Sequence, residues 1–249
     1  MSSPLVGLPG RQVVCETAGE CAARLAEAVV AQLRPRLAAF ARVHLALSGA
    51  ASGKRVAAAL AGSDLGAEEW ARIHGWMVDE RGVDADDSRL NFASLRDALL
   101  GPAAIPAENL HPMPVLVPGG AERYERELRA ALDDRPAAER RLDALVLGMG
   151  SDGHTASLFP GSAALDERER WVVLNDGETV TPPRPRMTLT FPFINQACFI
   201  ALLVTGEGKR EALRRLAEGR EDYRTLPVAG VVGSAETRPI WFLDRAALP

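Results

Sequence analysis

Three glycines fall within six residues directly after an apolar segment, and this arrangement is the strongest constraint on the fold. Leu142–Leu147 is typical of a buried strand, and the run that follows it reads GMGSDGHTASLFPG at residues 148–161. Glycine permits tight turns and a close approach of the backbone to a ligand. In this turn Asp152 and His154 present a carboxylate and an imidazole together at the end of a strand. The pattern predicts a site for chemistry on a small ligand.

Strand-like and helix-like segments alternate along the chain. The predicted strands are Val43–Leu47, Ile73–Val78, Pro112–Val117, Leu142–Leu147, Trp171–Leu174, Cys198–Thr205 and Ile240–Leu243. The predicted helices are Glu20–Phe40, Ser52–Ala61, Ser88–Leu100, Glu122–Leu132 and Lys209–Glu218. We expect Pro35 to kink or break the first helix and Ser88 to be the N-cap of the third. The alternation predicts an α/β fold, a mostly parallel sheet with helices on both faces, in a single domain over residues 1–249.

Polar residues lie at or just beyond the ends of four predicted strands. They are Ser48, Asp79, Asp152 and Lys209. Ligands of parallel α/β sheets bind beyond the carboxyl ends of the strands, so we expect these residues in one shared site. The proline-rich stretch Thr181–Pro185 is predicted to form a loop over that site, because strands resume after it.

Four segments, taken in order, resemble the 6-phosphogluconolactonase family. The run at 148–161 resembles its GxGxDGHTASLFPG signature, and WMVDER at 76–81 resembles its W-x-x-D-E-R, with Ser88 and Asn91 following. RMTLT at 186–190 resembles its R-x-T-x-T, and GEGK at 206–209 its G-x-x-K. The resemblance runs from about Leu45 to Trp241. It implies a Rossmann-like fold shared with glucosamine-6-phosphate deaminases. It also implies hydrolysis of 6-phospho-D-glucono-1,5-lactone to 6-phosphogluconate in the oxidative pentose phosphate pathway.

The first phosphate loop departs from the family pattern. The family usually reads S-G-G-S-T-P, whereas this chain reads SGAASG at residues 48–53. One glycine and one hydroxyl are lost, and the proline is replaced by glycine. Ser48 and Ser52 still offer hydroxyls, and Gly49 still permits close approach. The departure leaves a change in phosphate affinity or in loop geometry open.

The resemblance, together with the chemistry of lactone opening, indicates four candidate catalytic residues. An imidazole, whose ordinary pKa is ~6.5, is suited to take a proton from water and to return it to the departing ring oxygen. His154 is the candidate for both steps. Asp152 either orients the imidazole and stabilises the imidazolium or binds a sugar hydroxyl. Arg81 either binds substrate oxygens or polarises the carbonyl oxygen. Asp79 is expected to orient water or a sugar hydroxyl.

The phosphate group of such a substrate requires cations and backbone N–H groups. The resemblance indicates Arg186 and Lys209 as the cations. Ser48, Gly49 and Ser52 would add hydroxyls and N–H groups at the start of a helix.

Other polar residues near these motifs have structural interpretations. Thr155 and Ser157 are predicted to cap a helix after the glycine run, with contact to the substrate as the alternative. Three histidines lie near strand starts, the wrong end for this site, and are interpreted as structural or surface residues: His44, His74 and His111.

Composition excludes several classes of function. The net charge of −4 does not suggest a nucleic-acid-binding domain, which is usually basic. The three cysteines form no CxxC pair, so a disulfide framework is not expected. Residues 1–10 have no signal-peptide pattern, and no apolar run approaches the ~18 residues of a membrane span. We expect a cytoplasmic protein without metal or organic cofactor that binds neither nucleic acid nor membrane. The family resemblance implies a monomer whose partner is a sugar-phosphate lactone.

Two alternative functions remain. Amino-sugar-phosphate deaminases have a glutamate five residues after the histidine and an aromatic residue at the position of Arg81. In this chain the position five residues after His154 is Phe159, and a phenyl ring cannot relay a proton. A sugar-phosphate sensor would keep the phosphate ligands without needing the catalytic pair, so the intact Asp152 and His154 favour the lactonase.

Overall fold

The computed structural model describes residues 5–49, 51–99, 105–234 and 237–249. The strands are β1 (Arg11–Cys15), β2 (Val43–Leu47), β3 (Ile73–Met77), β4 (Asp79–Arg81), β5 (Leu110–His111), β6 (Ala144–Leu147), β7 (Val172–Asn175), β8 (Arg186–Leu189), β9 (Ile200–Val204) and β10 (Ile240–Asp244). The helices are α1 (Ala18–Ala39), α2 (Ala51–Ala61), α3 (Ala67–Trp70), α4 (Asn91–Leu99), α5 (Gly120–Leu132), α6 (Phe191–Ile194) and α7 (Arg210–Glu218). Among the described residues, no helix has the length and apolar character needed to cross a bilayer.

The main sheet contains seven parallel strands in the order β1-β10-β9-β6-β2-β3-β5. Helices flank this sheet, so the predicted fold class is confirmed. The direction in which strands are added reverses between β2 and β6. After β2 the chain adds β3 on one side, whereas after β6 it adds β9 on the other. The loops that follow β2 and β6 therefore diverge in the middle of the sheet, which is where α/β folds bind ligands.

A second sheet, β4-β8-β7, is antiparallel and was not predicted. The chain leaves β3 and enters β4 after the single residue Val78, whose N–H donates to Leu47 and whose carbonyl accepts from Leu189. Asp79–Arg81 thus forms a strand opposite β8, although the same three charged residues read in isolation as a solvated turn. The second sheet adds β8 and its arginine to the edge of the main sheet where the central loops diverge.

Pro35 does not break the first helix, because α1 runs from Ala18 to Ala39 with Pro35 inside it. A proline removes one helical hydrogen bond and crowds the preceding turn. Leu33 and Leu37 on either side of it are almost fully buried, at 0% and 5% exposure. Burial of this long apolar face outweighs the lost hydrogen bond.

The predicted strand Pro112–Val117 is wrong, because these residues form a loop and turns. The strand at this position is the two-residue β5, which pairs with Gly75 and Trp76. Pro112 and Pro114 have no N–H to donate to a neighbouring strand, so pairing stops where the first proline enters.

The predicted N-cap Ser88 is also wrong, because α4 begins at Asn91. The carboxylate of Glu80 accepts instead from the N–H groups of Asn91 at 2.8 Å and Phe92 at 2.7 Å. Burial raises the pKa of Glu80 to about 7, although these N–H groups oppose the shift. The cap comes from β4 and not from the residues just before the helix, so local sequence could not reveal it. Leu100, the predicted end of the helix, lies outside the described residues.

The three histidines near strand starts form one cluster with Trp76, in which His74 contacts the other two histidines. Nδ1 of His74 lies 3.0 Å from Nε2 of His111, and Trp76 stacks on His111 with 3.7 Å between ring centroids. Trp76 donates its indole N–H to Nδ1 of His44 at 3.1 Å. Burial lowers the pKa of all three histidines, that of His74 to about 4.

A buried carboxylate joins the starting ends of the two central strands. Asp143 stands just before β6 and is fully buried. Its oxygens accept from Arg135 at 2.8 and 3.1 Å, from Arg36 of α1 at 2.6 Å, and from the backbone N–H of His44 in β2 at 2.7 Å. The register of β2 against β6 is therefore fixed by a polar cluster at the end opposite the diverging loops.

We expect Asp143→Ala to destabilise the protein by about 3–5 kcal/mol, because it leaves the guanidinium of Arg135 buried without its partner. That side chain is only 1% exposed. The measurement is the midpoint of urea unfolding. The control is Asp64→Ala, which removes a 77% exposed carboxylate from its ion pair with Arg34 and should leave the midpoint nearly unchanged. Equal shifts for the two variants would contradict the assignment.

Candidate active site

A pocket of about 540 Å³ opens where the loops after β2 and β6 diverge. Seven residues predicted from the sequence line it: Ser48, Ser52, Asp79, Arg81, His154, Arg186 and Lys209. The proline-rich loop contributes Thr181, Pro182 and Pro183 to the same wall. The other two predicted residues are outside the lining: Asp152 is hydrogen-bonded to His154, and Gly49 of the phosphate loop packs against Asn91.

His154 and Asp152 form a hydrogen-bonded pair. Nδ1 of His154 lies 2.6 Å from Oδ1 of Asp152, and the same oxygen accepts the backbone N–H of His154 at 3.1 Å. Partial burial opposes ionisation of Asp152, but its hydrogen bond to His154 and the histidine charge outweigh this effect and lower its pKa. With the carboxylate ionised, Nδ1 carries the proton and Nε2 of the neutral ring keeps a free lone pair.

The glycines of the run create the space for this pair. A Cβ on Gly150 would lie 2.1 Å from Nδ1 of His154 and 2.4 Å from Oδ1 of Asp152. Gly153 has a φ of +84°, and a Cβ there would lie 2.2 Å from Cδ1 of Leu226. Its carbonyl accepts the N–H of Val228 at 2.9 Å. The loop is therefore held by residues 226–228, and a side chain at 150 would displace His154 and Asp152, whereas one at 153 would strain the backbone and meet Leu226.

No helix follows the glycine run directly, so the predicted capping roles of Thr155 and Ser157 are wrong. The chain makes a tight turn in which Thr155 and Leu158 form an isolated bridge. The hydroxyl of Thr155 donates to the carbonyl of Gly148 at 2.9 Å, and that of Ser157 donates to Asp79 at 2.8 Å. The hydroxyls close the loop on itself and on β4, which a local reading of the sequence does not reveal.

Asp79 connects the two central loops. It is 5% exposed, and its two oxygens accept from the hydroxyls of Ser48 at 3.3 Å and Ser157 at 2.8 Å. Its backbone carbonyl accepts from the side-chain amide of Asn91 at 3.2 Å. A Cβ on Gly49 would lie 2.2 Å from that of Asn91, so glycine lets the phosphate loop rest on α4. Asn91 lies outside the pocket lining and packs beneath the loop.

Two arginines face each other across the second sheet. Arg81 and Arg186 are direct partners in the antiparallel pairing of β4 with β8. Like charges opposite each other destabilise a sheet, so the arrangement favours an anion between them. Arg186 is held by the carbonyls of Pro183 at 2.7 Å and Thr181 at 3.1 Å, and Arg81 donates to the carbonyl of Arg89 at 2.7 Å. Burial lowers the pKa of Arg186, with a further contribution from the charge of Arg81.

Sequence reasoning missed two further cations of the pocket, Arg55 and Arg89. Arg55 lies one turn into α2, and Arg89 lies in the loop before α4. Within the described residues, the lining holds five cationic side chains and one carboxylate, that of Asp79. The chain has 29 lysines and arginines, and neither Arg55 nor Arg89 belongs to a motif that distinguishes it from the others.

The N-terminus of α2 also faces the pocket, through Ala51 and Ser52. A Cβ on Gly53 would lie 1.3 Å from the carbonyl oxygen of Ser48, so the loop as it stands here requires glycine at that position. A helix N-terminus attracts anions through its free N–H groups and its dipole. Ala50 of the predicted phosphate loop lies outside the described residues.

The chain matches a family model over residues 16–241, and the family is described as glucosamine-6-phosphate isomerases/6-phosphogluconolactonase. The chain therefore belongs to this family. It is 35% identical over 254 residues to a 6-phosphogluconolactonase of Mycobacterium tuberculosis, covering 99% of this chain and 98% of that protein. A crystal structure of 6-phosphogluconolactonase from Thermotoga maritima matches with a TM-score of 0.77 and 28% identity, covering 94% of this chain and 99% of that one. Both of these relatives carry the name 6-phosphogluconolactonase.

One relative is much longer than this chain. The human GDH/6PGL endoplasmic bifunctional protein is 36% identical over 255 residues, which cover 98% of this chain. The chain spans only about 30% of that protein's length.

We expect Gly150→Ala to separate His154 from Asp152, because the added methyl group would overlap both side chains. Nitrogen NMR of labelled histidine should show His154 mainly as the Nδ1–H tautomer in the wild type and as a mixture in the variant. The control is Gly148→Ala, whose methyl group would meet Ser52 at an ordinary 3.6 Å. The same tautomer in both variants would show that the close pair does not depend on Gly150.

Proposed function

We propose that the chain hydrolyses 6-phospho-D-glucono-1,5-lactone to 6-phosphogluconate, a step of the oxidative pentose phosphate pathway, with His154 as the general base. The observation that carries this proposal is the 2.6 Å contact of Nδ1 of His154 with Asp152, in a pocket lined by five cations. The contact leaves Nε2 as a base, and the cations suit a phosphorylated substrate.

The first step requires a water molecule activated beside the lactone carbonyl. Nε2 of His154 accepts the proton while the water oxygen attacks the carbonyl carbon. Asp152 stabilises the imidazolium that results, since its carboxylate accepts from Nδ1–H throughout. The ring packs against Phe159, with 4.6 Å between centroids, and this contact limits its rotation.

The second step breaks the bond from the carbonyl carbon to the ring oxygen. The tetrahedral intermediate carries its negative charge on the former carbonyl oxygen, and Arg81 is our candidate to stabilise that charge. The imidazolium of His154 then returns its proton to the departing ring oxygen, which becomes a hydroxyl of the product. His154 is then neutral again, and no further acid or base is needed to complete the cycle.

The phosphate is assigned to the cationic side of the pocket. Arg186 and Lys209 provide charge, and Ser48, Gly49 and Ser52 provide hydroxyls or N–H groups beside the start of α2. Two bonds to loop carbonyls orient the guanidinium of Arg186 before any ligand binds, which reduces the entropy lost on binding.

Asp79 has a positioning role in this proposal, in addition to the predicted contact with water or a sugar hydroxyl. Its carboxylate bonds to Ser48 of the phosphate loop and to Ser157 of the histidine loop. It therefore sets the distance between the group that binds phosphate and the group that activates water.

The alternative functions lack support from particular residues. A deaminase of this family would need an acid near the histidine, but Phe159 is 1% exposed and packs between His154 and Arg186. A sugar-phosphate sensor would not require the hydrogen-bonded pair of Asp152 and His154. The absence of metal and organic cofactors, the single domain, the monomeric state and the cytoplasmic location stay predictions.

We expect His154→Ala to lower kcat by about two to four orders of magnitude, the usual contribution of a general base, while the Kd for 6-phosphogluconate changes little. The lactone is generated in the assay and corrected for its spontaneous opening. Wild-type-like kcat in the variant would overturn the role of His154. Folded wild type that binds 6-phosphogluconate without accelerating hydrolysis would favour the sensor.

We expect Arg186→Ala to raise KM and the Kd for 6-phosphogluconate by roughly tenfold or more, the usual scale for one charge-assisted contact. The control is Arg184→Ala, two residues away, which removes an exposed arginine that does not line the pocket. Calorimetry with 6-phosphogluconate and steady-state kinetics measure both effects. Equal binding by the two variants would refute the assignment of Arg186 to phosphate.

A further inference from the structure

The turn that delivers Lys209 to the pocket has an unusual backbone conformation. Gly206, just after β9, has φ +91° and ψ 153°, a region that residues with a side chain avoid. Its carbonyl accepts the N–H of Lys209 at 3.1 Å, which closes a single helical turn before α7. The direction of the Lys209 side chain therefore depends on the conformation of Gly206.

Among the described residues, this turn is the main restraint on the ammonium group of Lys209. Its pKa is lowered by burial, against the charge of Asp152, so the group lies partly out of water near the catalytic pair. Within the described residues, no side-chain hydrogen bond or ion pair holds it. A lysine stem is flexible, so the backbone turn is the main determinant of where the charge lies.

Asp244 holds this turn from the neighbouring strand. It ends β10, which lies beside β9 in the sheet, and it is 5% exposed. Its Oδ1 accepts the N–H of Gly206 at 2.9 Å and the N–H of Ala247 at 2.9 Å. The first bond restrains the Lys209 turn, and the second caps the short turn at Arg245–Ala247.

We propose that Asp244 is a positioning residue, which sets the phosphate affinity of the site by holding the Gly206–Lys209 turn. The inference rests on the proposed function, because it takes Lys209 as a ligand of the substrate phosphate. Asp244 itself is not part of the pocket lining. Its loss therefore weakens binding and leaves the chemical step intact.

Substitutions at two glycines distinguish this positioning role from a general effect on folding. A Cβ on Gly206 or on Gly208 would meet no atom within 4 Å, so neither substitution creates a clash. Of these two glycines, only Gly206 has a positive φ. We expect Gly206→Ala to raise the Kd for 6-phosphogluconate and KM by roughly tenfold, with kcat within about twofold of wild type. Gly208→Ala is the matched control and should bind like wild type.

A double-mutant cycle tests Asp244 directly. We expect Asp244→Ala to weaken 6-phosphogluconate binding in the wild-type background and to add little in the Lys209→Ala background, because both changes act on one contact. Asp244→Asn keeps an oxygen at the Oδ1 position and should restore binding. Additive effects in the cycle would overturn the proposal, as would a kcat that falls together with affinity.

Folding and function are checked in the same series. Thermal unfolding establishes that each variant is folded, and the Gly206 and Gly208 pair remains informative if Asp244→Ala does not fold. Equal affinity of Gly206→Ala and Gly208→Ala would refute the positioning role. Wild type that binds neither 6-phosphogluconate nor inorganic phosphate would refute the proposed function instead, and with it this inference.

Discussion

The buried carboxylate of Asp143 is the interaction on which the arrangement of the pocket depends. It joins the starts of β2 and β6 to two arginines, so the two central strands enter the sheet in a fixed register. Strands this short are stiff, and a register set at one end determines where the other end lies. At that other end, Asp79 joins the loops after β2 and β6 through Ser48 and Ser157. Two buried carboxylates thus hold the same strand pair from opposite ends.

Between these restraints, the fold concentrates five cationic side chains, of which Arg89 alone has an ion-pair partner, Asp87, within the described residues. Arg81 and Arg186 oppose each other across the second sheet, and the pocket lining described contains a single carboxylate. Repulsion between the two arginines lowers the stability of the sheet. Each guanidinium group nevertheless keeps its orientation, because it donates hydrogen bonds to backbone carbonyls of its own. Preorganised charge of this kind favours an anionic substrate and the oxyanion formed from it, because the protein need not reorganise when that charge develops.

The sequence indicated the parallel sheet because its strands are short apolar runs. It indicated the pairing of Asp152 with His154 because glycines and polar residues lie close together in the chain. It did not indicate β4, whose three charged residues show no alternation and whose partner β8 is distant in sequence. The same limit explains Glu80, which caps a helix from another element, and Arg55 and Arg89, which reach the pocket only through tertiary structure. Features defined by local composition were predictable, and contacts between distant segments were predictable only where a family motif marked them.

The altered phosphate loop is connected through α2 to Arg55, one of the two arginines that the sequence did not predict. The loop has lost a hydroxyl relative to the family pattern, and Gly53 lets α2 begin directly against the carbonyl of Ser48. Arg55, one turn further along α2, is part of the pocket lining. Under the proposed function, the loop offers the phosphate one hydroxyl fewer than the family pattern does, so more of the binding falls to the guanidinium groups of the lining. Contacts between full charges at an open pocket are screened by salt, so the affinity of this site should depend on ionic strength more than that of a loop built on hydroxyls.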